Sequence, residues 1–314
     1  MSLLIASTGK SPDVWIRALK EADPGLEVVT PDQVRDQSTV TFALAWNHPM
    51  GVFRGFPNLK CISSMGAGVD HLLKDPAIPE RIRIVRIIDP LLSQDLFEFA
   101  LAVIMQRNRT LEQFRNHQLQ KTWKKQRYAR IGDTRIGIMG TGVIGNHVAS
   151  GLSRLGFRVC GWGRTPTQEG LTGHMPYFRF SGKKQFPAFL NATDILICLL
   201  PLTPETRGVL NRETLSMLPN GAFLINLGRG EHLVDEHLVE LLDAGHLSGA
   251  CLDVFSPEPL PETHPFWSHP KIRITPHIAS LTDPQSVAPQ IVGNYRRAMD
   301  GRPLLNEVDR KRGY

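Results

Sequence analysis

Arg229, Glu258 and His277 each follow a short apolar run in the second half of the chain, and their types suit one task. Arg229 stands in Asn226-Leu227-Gly228-Arg229-Gly230, Glu258 in Ser256-Pro257-Glu258-Pro259, and His277 in Thr275-Pro276-His277-Ile278-Ala279-Ser280. An imidazole can give a proton to a reacting oxygen at working pH. A carboxylate on its other ring nitrogen fixes the ring's orientation and favours its protonated form. A guanidinium brings two parallel donors and a permanent charge, so it can bind a carboxylate and polarise a neighbouring carbonyl. Each residue alone reads equally well as a solvated surface group. Their order, each at the end of a strand-like run, makes them a set.

A glycine-rich turn precedes them. Gly140-Thr141-Gly142-Val143-Ile144-Gly145 follows the apolar run 135–139 and opens a helical pattern reaching about residue 155. In that context the first glycine makes the tight turn and the second lets backbone approach a pyrophosphate. The third lets helix and strand pack closely, while the amides at Val143 and Ile144 favour an anion. The turn therefore points to a dinucleotide. The next strand ends Cys160-Gly161-Trp162-Gly163-Arg164-Thr165, without the acid that would hold a ribose 2′-hydroxyl. A guanidinium at Arg164, next to Thr165, can pair with a 2′-phosphate. This predicts a preference for NADPH, with NADH still usable.

The elements that must position these residues alternate short β-rich runs with amphipathic segments, the rhythm of parallel sheets covered by helices. Strands are expected at residues 3–7, 27–29, 41–46, 61–65 and 82–88, with a helix opened by Ser11-Pro12-Asp13. Residues 93–117, free of Gly and Pro, read as one long helix. Further strands are expected at 135–139, 158–162, 194–200, 222–227, 249–255 and 272–275, with helices at 235–244 and 284–300. The expected fold is α/β, with two doubly wound parallel-sheet domains: a Rossmann-type cofactor domain over 99–280, and a flavodoxin-like substrate domain over 1–98 with 281–314. In open sheets of this kind, ligands bind beyond the carboxyl ends of the strands, where the Arg, Glu and His would converge.

Composition limits the alternatives. The 314 residues are 41% hydrophobic and 21% charged, enough for a packed core and inconsistent with disorder. The net charge of +6 fits either a mildly basic surface or attraction of an anionic cofactor and substrate. No Lys/Arg block is long enough for a nucleic-acid arm, and Asp309-Arg310-Lys311-Arg312 reads as a solvated tail. Cys61, Cys160, Cys198 and Cys251 lie far apart in apolar runs without metal-ligand spacing. They read as buried free thiols of a reducing compartment, and no metal is expected. The N-terminus is too short and uncharged for a signal peptide, and no apolar run could span a bilayer. The expectation is a cytoplasmic protein without a membrane partner.

The glycine-rich turn followed in order by Arg, Glu and His resembles the D-isomer-specific 2-hydroxyacid dehydrogenase family over essentially the whole chain. Ala43-Leu44-Ala45-Trp46, Met65-Gly66-Ala67-Gly68-Val69-Asp70, Trp162-Gly163-Arg164-Thr165 and the end Val308-Asp309-Arg310-Lys311-Arg312-Gly313-Tyr314 strengthen the likeness. It implies NADPH-dependent reduction of glyoxylate to glycolate and of hydroxypyruvate to D-glycerate, with Arg229, Glu258 and His277 catalytic. It further implies that Met65, Gly66, Ala67 and Gly68 bind the substrate carboxylate and that Trp46 narrows the pocket. Leu200, Pro201, Leu227, Gly228, Asp253 and Ser280 are expected at the cofactor, beside the glycine-rich turn. The segment 118–131, with Trp123, resembles the arm by which family members form homodimers, although it reads equally as a surface loop. Asp89-Pro90-Leu91-Leu92 departs from the family's usual threonine–glycine or asparagine–glycine pair. A broader 2-ketoacid reductase, or a dinucleotide-sensing protein of the same fold, would carry many of the same residues.

Overall fold

A computed structural model describes residues 1–9, 11–165 and 176–314. They form two compact units, Met1–Leu91 with Thr282–Tyr314, and Leu92–Leu281. In the first unit, strands β1 (Ser2–Ser7), β2 (Glu27–Val29), β3 (Val40–Trp46), β4 (Cys61–Ser64) and β5 (Arg83–Val85) form a sheet of order β2-β1-β3-β4-β5. Its pairs are all parallel, and the order is that of flavodoxin-like folds. The central strands β1 and β3 are apolar along most of their length because both faces are covered. Leu3, Ile5, Phe42 and Leu44 join one core, while Leu4, Ala6, Ala43 and Ala45 join the other. Helix α1 (Pro12–Ala22) starts at Ser11, whose hydroxyl accepts from Asp13 N, with proline in the first turn. A single helical turn, α2 (Asp70–Leu73), follows β4.

The second unit begins within α3 (Pro90–Asn108). Its seven strands are β6 (Arg135–Met139), β7 (Arg158–Gly163), β8 (Phe178–Ser181), β9 (Ile195–Cys198), β10 (Ala222–Asn226), β11 (Leu247–Leu252) and β12 (Ile272–Ile274). The order is β12-β11-β10-β9-β6-β7-β8, again all parallel. The order reverses between β6 and β9, where such sheets receive a dinucleotide. Helices α4 (Leu111–Leu119), α5 (Val143–Arg154), α6 (Gly182–Asn191), α7 (Arg212–Ser216) and α8 (Asp235–Asp243) complete the unit. The chain then returns to the first unit as α9 (Pro284–Met299), which Asp283 caps through Gln285 N and Ser286 N. Val287, Ala288, Ile291 and Val292 of α9 enter the core that holds Leu3 and Ile5.

Three expectations are corrected. The long helix over 93–117 is two helices, because Thr110 takes the left-handed region (φ 52°) and separates α3 from α4. The break is imposed by distant hydrogen bonds at buried Asn108. Its side-chain amide donates to Thr134 Oγ1 (2.8 Å), and its carbonyl accepts from Ala129 N (3.0 Å). Strand β8 and helix α6 lie between two strands that the sequence reading placed in succession. The tail is solvated at Asp309, Lys311 and Arg312 but anchored at Arg310, whose Nη2 donates to Ile82 O (2.5 Å) and Pro79 O (3.1 Å), just after Val308, whose N donates to Ile84 O (2.8 Å). The four cysteines are buried and unpaired, as expected.

Candidate active site

The glycine-rich turn has the geometry its spacing predicts. Gly140 has φ 106°, and a Cβ there would lie 2.7 Å from Leu199 O on the neighbouring strand connection. A Cβ on Gly145 would collide with Gly140 O, so the first turn of α5 can lie against β6 only with glycine. At Gly142 a Cβ would meet nothing within 4 Å. That open side, at the N-terminus of a twelve-residue helix, is where a pyrophosphate could approach the amides of Val143 and Ile144. The cradle therefore fits a dinucleotide. Leu200 and Pro201, after β9, are on the other side of the switch point.

At the end of β7, Arg164 and Thr165 are exposed. Arg179, on β8, donates from Nη2 to Thr165 O (3.1 Å), and a Cβ on Gly163 would sit 2.6 Å from that nitrogen. The charges of Arg164 and Lys183 both reach Glu205, adding to its own local hydrogen bonds in lowering its carboxyl below the usual value. Three cations thus gather around the end of β7. The sequence reading found Arg164 but missed Arg179 and Lys183, which sit on the overlooked β8 and α6.

The Arg, Glu and His candidates come together at the ends of β10, β11 and β12. His277 Nδ1 lies 2.8 Å from Glu258 Oε2, and Glu258 Oε1 accepts from Phe255 N (2.9 Å). Burial pushes the Glu258 carboxyl up. The His277 and Phe255 hydrogen bonds and the nearby charges of His277 and Arg229 outweigh it, and hold the group below the usual glutamate range. Glu258 therefore stays a carboxylate and occupies one ring nitrogen, leaving Nε2 to meet a reacting group. His277 itself adopts φ 52°, an uncommon conformation for a residue with a side chain. Its N–H donates to Asp253 O (2.8 Å) and Thr275 O (3.0 Å). The Asp253 carboxylate fixes the rest of the loop, accepting from Thr275 Oγ1 (2.6 Å), Ile278 N (2.9 Å) and Ala279 N (2.9 Å). Asp253 was expected at the cofactor; its visible bonds shape the backbone around His277. Ser280 donates to Asp95 Oδ2 (3.1 Å).

Arg229 is half-buried, with Nη1 donating to Gly228 O (2.7 Å). Its loop lies directly on the Glu258 loop, for a Cβ on Gly230 would collide with the Phe255 backbone. Asn226 braces the turn, accepting from Gly228 N (3.2 Å) and donating to Arg229 O (3.0 Å). Gly230 and Asn226 were not singled out from sequence, although both flank the arginine in the quoted motif. Leu227 and Gly228 are buried in the same turn.

In the first unit, Trp46 ends β3 and packs on Gly66: a Cβ there would stand 2.9 Å from the indole. The ring also lies 4.9 Å, centroid to centroid, from His71. Ser64 Oγ accepts from Gly66 N (3.1 Å) and donates to Gly68 O (2.7 Å), which shapes the Met65–Gly68 loop. Only the one turn of α2 follows this loop, so it contributes little helix dipole.

Residues 101–279 match the sequence profile of the D-isomer specific 2-hydroxyacid dehydrogenase NAD binding domain. The chain belongs to this family of NAD(P)-dependent oxidoreductases, which act on 2-keto and 2-hydroxy acids. It is 38% identical over 285 residues to a glyoxylate/hydroxypyruvate reductase A of Yersinia enterocolitica, covering 89% of each chain. A D-isomer specific 2-hydroxyacid dehydrogenase of Xanthobacter autotrophicus, solved with NADPH and MES, superposes with a TM-score of 0.94 at 38% identity, covering 100% of this chain and 99% of that one. The NADPH-dependent glyoxylate/hydroxypyruvate reductase of Sinorhizobium meliloti, solved with NADP and sulfate, gives 0.91 at 33% identity over the whole of both chains.

Proposed function

We propose that this protein is an NADPH-dependent reductase of small 2-keto acids, converting glyoxylate to glycolate and hydroxypyruvate to D-glycerate. The observation that carries the reading is the 2.8 Å pairing of His277 with Glu258 beside Arg229 at the strand ends of a dinucleotide-binding sheet. Arg229 binds the substrate carboxylate and draws electron density toward the carbonyl oxygen. His277 gives its Nε2 proton to that oxygen, and the negative charge of Glu258 stabilises the imidazolium beforehand. The hydride for C2 would come from NADPH when it is bound. The carbonyl carbon thereby gains a hydride and its oxygen a proton, giving the 2-hydroxy acid and a neutral imidazole.

Gly140, Gly142, Val143, Ile144 and Gly145 would hold the pyrophosphate, and Arg164, Thr165 and Arg179 the 2′-phosphate. Leu200, Pro201, Leu227, Gly228, Asp253 and Ser280 would line the rest of the cofactor. The NADPH and NADP bound by the Xanthobacter and Sinorhizobium proteins support this choice. The Met65–Gly68 loop is assigned to the substrate carboxylate. Because Gly66 N–H already serves Ser64, the contact falls to Ala67 and Gly68. Trp46 is assigned the role of restricting substrate size.

A cytoplasmic homodimer is part of the proposal. Four free thiols suit a reducing compartment, and among the described residues no helix is long and apolar enough to cross a membrane. Trp123 is 99% exposed, and Leu119 and Tyr128 are exposed near it in sequence, an apolar surface suited to a second copy. Loss of NADPH absorbance on adding glyoxylate or hydroxypyruvate is the expected result. No oxidation with either acid would overturn the reading.

A further inference from the structure

His232 lies behind Arg229 and has no counterpart in the proton-transfer step. It is wholly enclosed, at 0% exposure, in the short turn Gly230–His232. Nδ1 accepts from Arg229 N (3.0 Å), and Nε2 lies 3.3 Å from Pro201 O. A carbonyl can only accept, so Nε2 carries the proton and Nδ1 presents its lone pair. Both ring nitrogens are therefore committed in one tautomer. The ring also explains Gly228, where a Cβ would stand 2.8 Å from Nδ1. The Arg229 carbonyl accepts from Asn226 Nδ2 (3.0 Å) and His232 N (3.2 Å).

Cys198 Sγ lies 3.8 Å from Nδ1, which invites comparison with a nucleophilic cysteine–histidine pair. Both side chains are sealed from solvent, and burial pushes the thiol up to about 12. The thiol stays neutral and packs as an apolar group.

We propose that His232 is a positioning residue for keto-acid reduction: an imidazole whose tautomer is fixed by Pro201 O, so that Nδ1 holds the Arg229 backbone N–H. The inference rests on the reading in which Arg229 grips the substrate and Pro201 borders the cofactor. The ring then sets where the Arg229 backbone stands, and with it the anion-binding guanidinium. Arg229 has a long side chain, and a small shift of its Cα alters the line from guanidinium to carbonyl oxygen. Misplacement of this kind reduces turnover without removing any reacting group.

The test compares H232L, which removes both ring bonds, with H232N, whose amide oxygen can replace Nδ1 as the acceptor for Arg229 N–H. Steady-state kinetics with glyoxylate and NADPH are measured alongside NADPH binding by fluorescence and thermal unfolding. In H232L the expected result is a fall in kcat/KM of about 30-fold, expressed in a raised glyoxylate KM as well as a lowered kcat. NADPH affinity should stay within about threefold, and H232N should recover most of the loss. A purely structural histidine would lower stability and active fraction but leave KM unchanged. Unchanged KM in H232L, or H232N no better than H232L, overturns the proposal. If H232L fails to fold, the comparison passes to H232N against H232Q, which retains only the Pro201 bond; the proposal requires H232N to be the better enzyme. A wild-type protein that binds NADPH but reduces neither keto acid sinks the functional reading itself. An active wild type with an indifferent H232L sinks only this inference.

Discussion

Replacing Glu258 by glutamine would isolate the charge behind the proposed proton donor. The amide keeps the shape of the side chain, but with its oxygen on Phe255 N its amino group faces His277 Nδ1, so it neither accepts from the ring nor favours an imidazolium. Opposite charges about 4 Å apart interact by about 1 kcal/mol in water and about 4 kcal/mol near a protein surface. Both side chains are 36% exposed, so solvent screens the pair, and a value near the middle, about 2 kcal/mol, is appropriate. That corresponds to a loss of about 30-fold in kcat/KM. The assay is the pH dependence of glyoxylate reduction in wild type and E258Q, with NADPH affinity measured separately. The variant should lose activity throughout the pH range in which the wild type works. NADPH affinity should hold within about twofold, because Glu258 is not assigned to the cofactor. Activity within about threefold of wild type at every pH, or a loss explained by weaker NADPH binding, would refute the reasoning.

Three further outcomes follow from the geometry. In R164D a carboxylate would stand where the 2′-phosphate is expected, so the ratio of kcat/KM for NADPH over NADH should fall by about tenfold or more; an unchanged ratio would remove Arg164 from cofactor choice. In G66A the new methyl would stand 2.9 Å from the Trp46 indole and force the ring aside. Phenylpyruvate should then gain on glyoxylate in a substrate panel, and an unaltered ranking would separate Trp46 from substrate selection. Asp75 bonds to His48 (3.1 Å), Gly51 N (3.0 Å) and Ala77 N (2.9 Å). Burial pushes its carboxyl up, but these bonds prevail and hold it below the ordinary 3.8. A depressed folded value means that this stabilisation is complete above the unfolded pKa and is lost as pH falls through the folded one. Denaturant midpoints should therefore decline below about pH 4 in wild type and more shallowly in D75N, while equal slopes would argue that other carboxylates dominate.

Features written in consecutive residues were legible in the sequence. The Gly140–Gly145 spacing follows from contacts within one turn, and the central strands of both sheets show as apolar runs because both faces are covered. Arg229, Glu258 and His277 could be paired with strand ends, and the fold brings those ends together. What escaped depends on partners far along the chain. No local signal ends α3 at Asn108, because Thr134 and Ala129 impose the break. Strand β8 is four residues at a sheet edge with no fully buried position, so its apolar signature is faint, and Arg179 went unnoticed with it. His232 reads as one more polar residue before a helix; only its burial between Arg229 and Pro201 distinguishes it.

The return of α9 to the first sheet has a consequence for biosynthesis. The N-terminal strands leave the ribosome first, yet Leu3, Ile5 and Phe42 share a core with Val287, Ala288 and Ile291. That layer cannot close until the segment beyond Asp283 has been translated, whereas the intervening unit already has all of its strands. During synthesis that sheet therefore waits with one apolar face only partly covered, by α1, a substrate for holding chaperones, while the later-made unit can finish first. A nonsense mutation near codon 284 would strike the beginning of the protein as hard as its end.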